Sequence, residues 1–258
     1  MNALWAVYKR EVGVFFRSPI AYAIAFGLML FLGVLFSASV NSAVLQNQSG
    51  FAQQPITADL LFQSNLAVLV FLMFIVAPLL TMRLISEEAR EGTLEVLMTL
   101  PMGDWAFVLG KFLAVWTFYT VILALTLAHT LMLDGIGVLD GGVVFGAYLG
   151  AWLYGGATLA LAMIWSAITE DQIVAAFLGS ATVLVLFLAD GLAQLAGTQD
   201  FTRGAANFIR ELSLQSHYQN TMLEGIIRAE DIAYFVFVMI AAVFLTTLIV
   251  GTRRWRAS

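Results

Sequence analysis

The chain has 258 residues, with 61% hydrophobic and 11% charged side chains, no cysteine and 2 histidines. A charged fraction this far below the roughly 25% of soluble domains excludes an ordinary globular chain, and the missing cysteines exclude disulfides, thiolate chemistry and Fe–S ligation. The formal charge of −5 and the scatter of Lys and Arg at the ends of apolar runs give no basic stripe, so no nucleic-acid partner is expected.

Met1 to Ser18 is a basic amphipathic lead. Trp5 and Tyr8 stand among Lys9, Arg10 and Arg17, the mixture of a helix lying in a membrane interface. It reads either as a simple anchor or as an elbow that also faces a partner. Pro19 opens a first apolar span, Ile20 to about Val40. Ser37 to Ser39 imitates a signal-peptide cleavage site, but the run exceeds the usual core of about 7 to 15 residues, which favours an uncleaved span. Asn41 to Asp59 is expected as a polar loop without Lys or Arg, and a second span follows from about Leu60 to Met82, with Pro78 near its charged end. That proline reads as one tolerated inside a transmembrane helix.

Further spans are expected over Trp105–Leu133, Val143–Ile168, Ile173–Ala196 and Asp231–Thr252, the third and fourth separated by turns at Asp134 and Asp140. Gly197 to Glu230 is the longest connection. Phe201, Phe208, Ile209 and Leu212, then Leu223, Ile226 and Ile227, recur at helical spacing. Two short amphipathic helices follow, resting on a leaflet or packed on the bundle. Lys and Arg divide nine (Lys9, Arg10, Arg17, Arg83, Arg90, Lys111, Arg253, Arg254, Arg256) against three (Arg203, Arg210, Arg228). The positive-inside rule therefore puts both termini in the cytoplasm. The fold class is all-α: one polytopic domain over residues 1–258 with six transmembrane helices, an interfacial N-terminal helix and an outer helical hairpin between spans five and six.

Between the second and third spans, Arg83 to Lys111 is the one long break rich in both acids and bases. Arg83, Glu87, Glu91 and Glu95 fall four apart and form a stripe on a helix expected from about Leu84. Gly92 interrupts it; Thr93 can cap a second turn, Leu94 to Leu100, that Pro101 stops; Asp104 can cap the third span. A solvated loop explains the charges. Leu84, Ile85, Leu94, Val96, Leu97 and Met98 alternate with them, which favours a surface where a partner docks. On that reading Glu87 and Glu88 are exposed, and replacing both by Lys should leave folding nearly unchanged.

No G-x-x-x-x-G-K-[ST] motif is present, so any ATP and Mg belong to a partner, and no H-E-x-x-H or G-x-S-x-G motif occurs either. No catalytic, cofactor-binding or metal-ligating residue is expected, and Ser166 with Thr169 reads as helix-end capping. His129 and Asp190 fall about 36 Å and 26 Å along their helices, near the outer edge of a core about 30 Å thick, and are expected in water. Gly146, Gly150, Gly155, Gly156 and Gly179 permit close helix approach, within the chain or at a dimer seam.

Thr81 to Arg83, Glu87 and Glu88, Gly92 to Glu95, Thr99, Pro101, and Gly110 with Lys111 resemble the signature of type-2 ABC transporter permease subunits. Ser166 to Ala175, and His217 and Tyr218 to Gly225 then Asp231 to Phe235, are similar to the branch associated with gliding motility and copper-enzyme maturation. The likeness spans nearly the whole chain. It implies a coupling helix on which a separate ABC ATPase docks through Arg83, Glu87, Glu88, Glu91, Gly92, Thr93, Leu94, Glu95 and Leu97, in a bacterial cytoplasmic membrane. It also implies a second permease chain, identical or related, an outer hairpin with His217, Tyr218 and Gly225, and ATP-driven export. Delivery of motion to extracytoplasmic proteins without transport is the alternative. His217 is a candidate contact for such a partner, beside a plain interfacial role.

Overall fold

A computed structural model describes residues 3–49, 57–93, 103–135, 137–196 and 203–254. Among them are α1 (Ala3–Phe15), α2 (Pro19–Ser49), α3 (Ala58–Thr81), α4 (Ser86–Arg90) and α5 (Asp104–Asp134). Then come α6 (Gly141–Ile168), α7 (Gln172–Ala196), α8 (Arg203–Glu211), α9 (Leu214–Gln219), a 3-10 turn (Met222–Glu224) and α10 (Ala229–Arg254). Six of these, α2, α3, α5, α6, α7 and α10, are long and apolar enough to cross a membrane. An all-helical solution is what such runs require, because lipid offers no partner to a free backbone N–H or C=O. Interior hydroxyls obey the same constraint. Thr81, Thr158 and Thr246 are buried and donate back to the carbonyls of Ala77, Tyr154 and Ala242.

The bundle is built around α6, of whose most apolar stretch 72% is buried, against 11% for α2 and 28% each for α7 and α10. Helices α3, α5, α7 and α10 all pack on α6, and its small residues let them in. A Cβ on Gly155 would enter the ring of Tyr119 on α5, while Gly146, Gly150, Gly156 and Gly179 also face other parts of the same chain. These glycines serve packing inside one chain. Conversely, α2 turns Phe26 (68% exposed), Val34 (61%) and Tyr22 (53%) outward.

Five local expectations need correction. Helix α2 continues through Asn41 to Ser49 where a loop was expected: polar side chains mark the end of a bilayer, and nothing between Asn41 and Ser49 breaks a helix. Helix α4 starts at Ser86, because Leu84 and Ile85 turn inward and are buried. Gly103 holds the cap position of α5 and Asp104 is its first helical residue. In the outer connection the second helix is Leu214–Gln219, ahead of the expected Leu223–Ile227, because Leu214 and Tyr218 are the residues that reach the core. Asp190 and His129 are not simply wet: Asp190 is buried, accepts from Gln194 Nε2 at 2.8 Å and pairs with Arg210 at 3.5 Å. His129 stacks on Phe36, ring centroids 4.8 Å apart.

Candidate functional site: a buried charge node under the acidic loop

One end of the bundle carries α1 and α4. Helix α1 buries Val7, Glu11 and Phe15, spaced four apart and therefore on one face. That face lies on α5 so closely that a Cβ on Gly110 would stand 2.9 Å from Val7. An acid in the middle of a buried face must find a cation. Lys111, the next residue of α5, supplies it: its Nζ donates to Glu11 Oε1 at 3.1 Å and to Glu88 Oε1 of α4 at 3.0 Å. Arg10 adds a second cation, 2.8 Å from Glu88 and 3.3 Å from Glu11. Two positive and two negative charges thus close on themselves. The Lys111 side chain is 2% exposed and lies 5.0 Å above the Phe107 ring centre.

The short helix α4 is held from the other side by α6. Ser166 Oγ accepts from the backbone amides of Ile85 (3.0 Å) and Ser86 (3.1 Å) and donates to Met82 O. A hydroxyl from another helix thereby does what an N-cap does, satisfying amides that have no partner within their own helix. Ser86 Oγ also donates to Met82 O. Arg83 Nη2 donates to Ser18 Oγ at 3.1 Å, and Thr93 Oγ1 donates back to Glu88 O at 3.3 Å. Between α1 and α4 lies a cleft of about 570 Å³ walled by Arg10, Arg83, Glu87, Glu88 and Glu91 among others.

Residues 5–255 match the ABC-2 family transporter protein. The chain belongs to that family. It is also 28% identical over 209 residues, 76% of this chain and 71% of the other, to a protein of Stutzerimonas stutzeri described as probable ABC transporter permease protein NosY. It is thus a multi-pass membrane permease subunit of an ABC transporter, and family membership implies an ABC ATPase as its partner.

In this permease the acids expected to act together are split. Glu87 is half-buried; Glu91, Gly92 and Thr93 are exposed, with Gly92 in the left-handed region at φ 70°. Glu88 is buried, committed to Lys111 and Arg10, and differs from the exposed acid expected. Thr93 is tied back to α4 through Glu88 O, and the second turn expected after it, Leu94 to Leu100, lies outside the described residues. Leu94, Glu95 and Leu97 lie outside the described residues. Leu84 and Ile85, read as part of a docking face, fill the permease's own core. Sequence reading gave Glu11, Arg10 and Lys111 no role in holding this loop. The available signal was an acid on the apolar face of a basic helix, and a lysine inside the first two turns of a span.

At the opposite end, α8 and α9 lie against α7, and α9 also meets α6 and α10. His217 Nδ1 stands 2.7 Å from Asp231 Oδ1, and Nε2 3.2 Å from Glu211 O. Each ring nitrogen thus faces an oxygen, one of a carboxylate and one of a backbone carbonyl. It stacks on Tyr234, ring centroids 4.0 Å apart, whose hydroxyl donates to Leu212 O at 2.8 Å. Tyr218 is wholly buried, and that burial pushes its hydroxyl well above the usual phenol range, so it stays neutral. Gly225 has φ 83°, and a Cβ there would lie 2.8 Å from Val143 Cα of α6. Only glycine fits that approach.

Proposed function

We propose that this permease is the membrane half of an ATP-driven exporter whose ATPase docks on the α1/α4 end. ATP and Mg belong to the ATPase, and the substrate passes at the bundle. Glu91, Gly92 and Thr93 offer the exposed part of the docking surface, with the half-buried Glu87 beside them, continued by Leu94, Glu95 and Leu97, with Arg83 fixing its root. Glu88 acts as a positioning residue. The observation that carries this reading is the bridging of α4, α1 and α5 by Lys111: a push on α4 is borne by a charge buried on a spanning helix, so α4 cannot move without α5 or the node giving way. The nine-to-three division of basic residues supports a cytoplasmic location for this end and for both termini, in a bacterial inner membrane.

A second permease chain, most simply an identical one, is proposed to complete the pathway against the sparsely packed helices α2 and α7. The His217 end then faces outward and is available to an extracytoplasmic partner. Replacing Glu87 and Glu91 together by Lys should leave insertion and melting temperature within the small range of exposed ion pairs, under about 1 kcal/mol. It should detach the ATPase on copurification or uncouple its hydrolysis. A double variant that keeps a stoichiometric, coupled ATPase would sink the docking assignment.

A further inference from the structure

The face of α1 turned away from α5 carries a second feature. Lys9, Arg10, Gly13, Val14, Arg17 and Ser18 wall a recess of about 540 Å³ to which no acid contributes. Arg10 is tied to the node, but Lys9 and Arg17 meet no carboxylate among the described residues. Arg83, reaching Ser18, brings a further cation to the rim. Gly13 stands between Lys9 and Arg17, four residues from each, and a Cβ there would meet nothing within 4 Å; its missing side chain leaves a notch between the two charges. Beside this recess the surface is apolar: Val14 is 53% exposed and Ile20 47%, and Phe26 and Leu30 continue along the outward side of α2.

From these observations we infer that the recess binds the phosphate of an anionic phospholipid whose acyl chains lie along α2. The charge asks for an anion. The apolar surface that starts beside it, on the first turns of a spanning helix, asks for a ligand with hydrocarbon directly attached to that anion. An acidic protein surface satisfies only the first demand, and a free phosphate also only the first. The recess adjoins the cleft between α1 and α4 and shares Arg10, Val14 and Ser18 with it, whereas Lys9, Gly13 and Arg17 wall the recess alone. A cation near an anionic membrane surface strengthens binding about fivefold, so Lys9 and Arg17 together are worth roughly 25-fold.

The test uses the full chain in nanodiscs made of equal parts phosphatidylglycerol and phosphatidylcholine, extracted gently and weighed by native mass spectrometry. The wild-type chain should retain phosphatidylglycerol over phosphatidylcholine. Lys9→Gln with Arg17→Gln should lower that preference by roughly 25-fold, while Lys9→Arg with Arg17→Lys, which keeps both charges, should restore it. If the double neutral variant fails to insert, Lys9→Gln and Arg17→Gln are measured singly, each expected to cost about fivefold. Equal retention of the two lipids by the wild type overturns the inference, as does a preference that survives neutralisation. Displacement of the retained lipid by millimolar inorganic phosphate would show that the anion alone is recognised, and a variant that keeps its lipid but loses its ATPase would reassign the patch to protein docking; each also overturns it.

Discussion

The two ends of the bundle solve the same problem differently. Each fixes a peripheral element to a spanning helix by way of a buried acid, Glu88 and Glu11 at one end and Asp231 at the other. At the α1/α4 end everything converges on one ammonium group, Lys111 Nζ, shared between two carboxylates from two elements. At the α8/α9 end the load is divided among the His217–Asp231 pair, the Tyr234 bond to Leu212, the Arg210–Asp190 pair and the glycine contact of Gly225 with α6. A convergent node transmits displacement because its members cannot shift independently. A distributed attachment holds an element in place and tolerates the loss of any one bond.

The contrast breaks most visibly at Glu88. Glu88→Lys would place a third cation beside Lys111 and Arg10, and disrupting a buried ion pair costs about 3 to 5 kcal/mol. Melting of the purified permease should fall accordingly and α1 should become open to protease. The joint substitution Lys111→Met, Glu11→Gln, Glu88→Gln removes the three buried charges, leaves only the half-exposed Arg10 charged, and should recover much of that stability without recovering coupling to the ATPase. A triple variant with normal coupling would show that the node only holds the fold. At the distributed end the largest effect should come from Gly225→Ala, where left-handed backbone and a contact with the Val143 backbone combine to cost about 3 kcal/mol. Hydrogen exchange should show the loss confined to α9 and the neighbouring turn. Asp231→Asn, which keeps the shape and removes the charge, should cost less, about 1.5 to 3 kcal/mol. It should raise exchange in α8 and α9 and leave ATPase copurification unchanged. If Asp231→Asn detaches the ATPase, the two ends are not separable in the way their bonding indicates.

The six long helices were legible because lipid imposes a simple rule: an unbroken apolar run of sufficient length must be helical. The ends were less so. Asn41 to Ser49 is polar and still helical, since polarity records where hydrocarbon stops, while a helix stops only where its backbone is broken or capped. The acidic loop was legible as a special segment but not in its division of labour. Glu87, Glu88 and Glu91 look alike by spacing, yet Glu88 is separated from the others by partners 78 and 23 residues away, Arg10 and Lys111. Periodicity reports which residues share a face of one helix; it is silent about what lies against that face. Ser166 illustrates the same point: capping is expected at the helix end where it sits, while the amides it satisfies lie 80 residues earlier, at Ser86, and one residue before that.

Glu11 and Lys111 also set an order of events during synthesis. They are 100 residues apart, and at a translation rate of about 5 to 20 residues per second Glu11 waits roughly 5 to 20 s for its cation. Until then α1 has a carboxylate on the face it must bury and no basic group inside the bundle to receive it. The helix made first therefore has to wait for the third span before it is seated. Ribosome-bound chains stalled before Lys111 should leave α1 loose at the membrane surface, and insertion of the third span, rather than the first, supplies the cation that seats it.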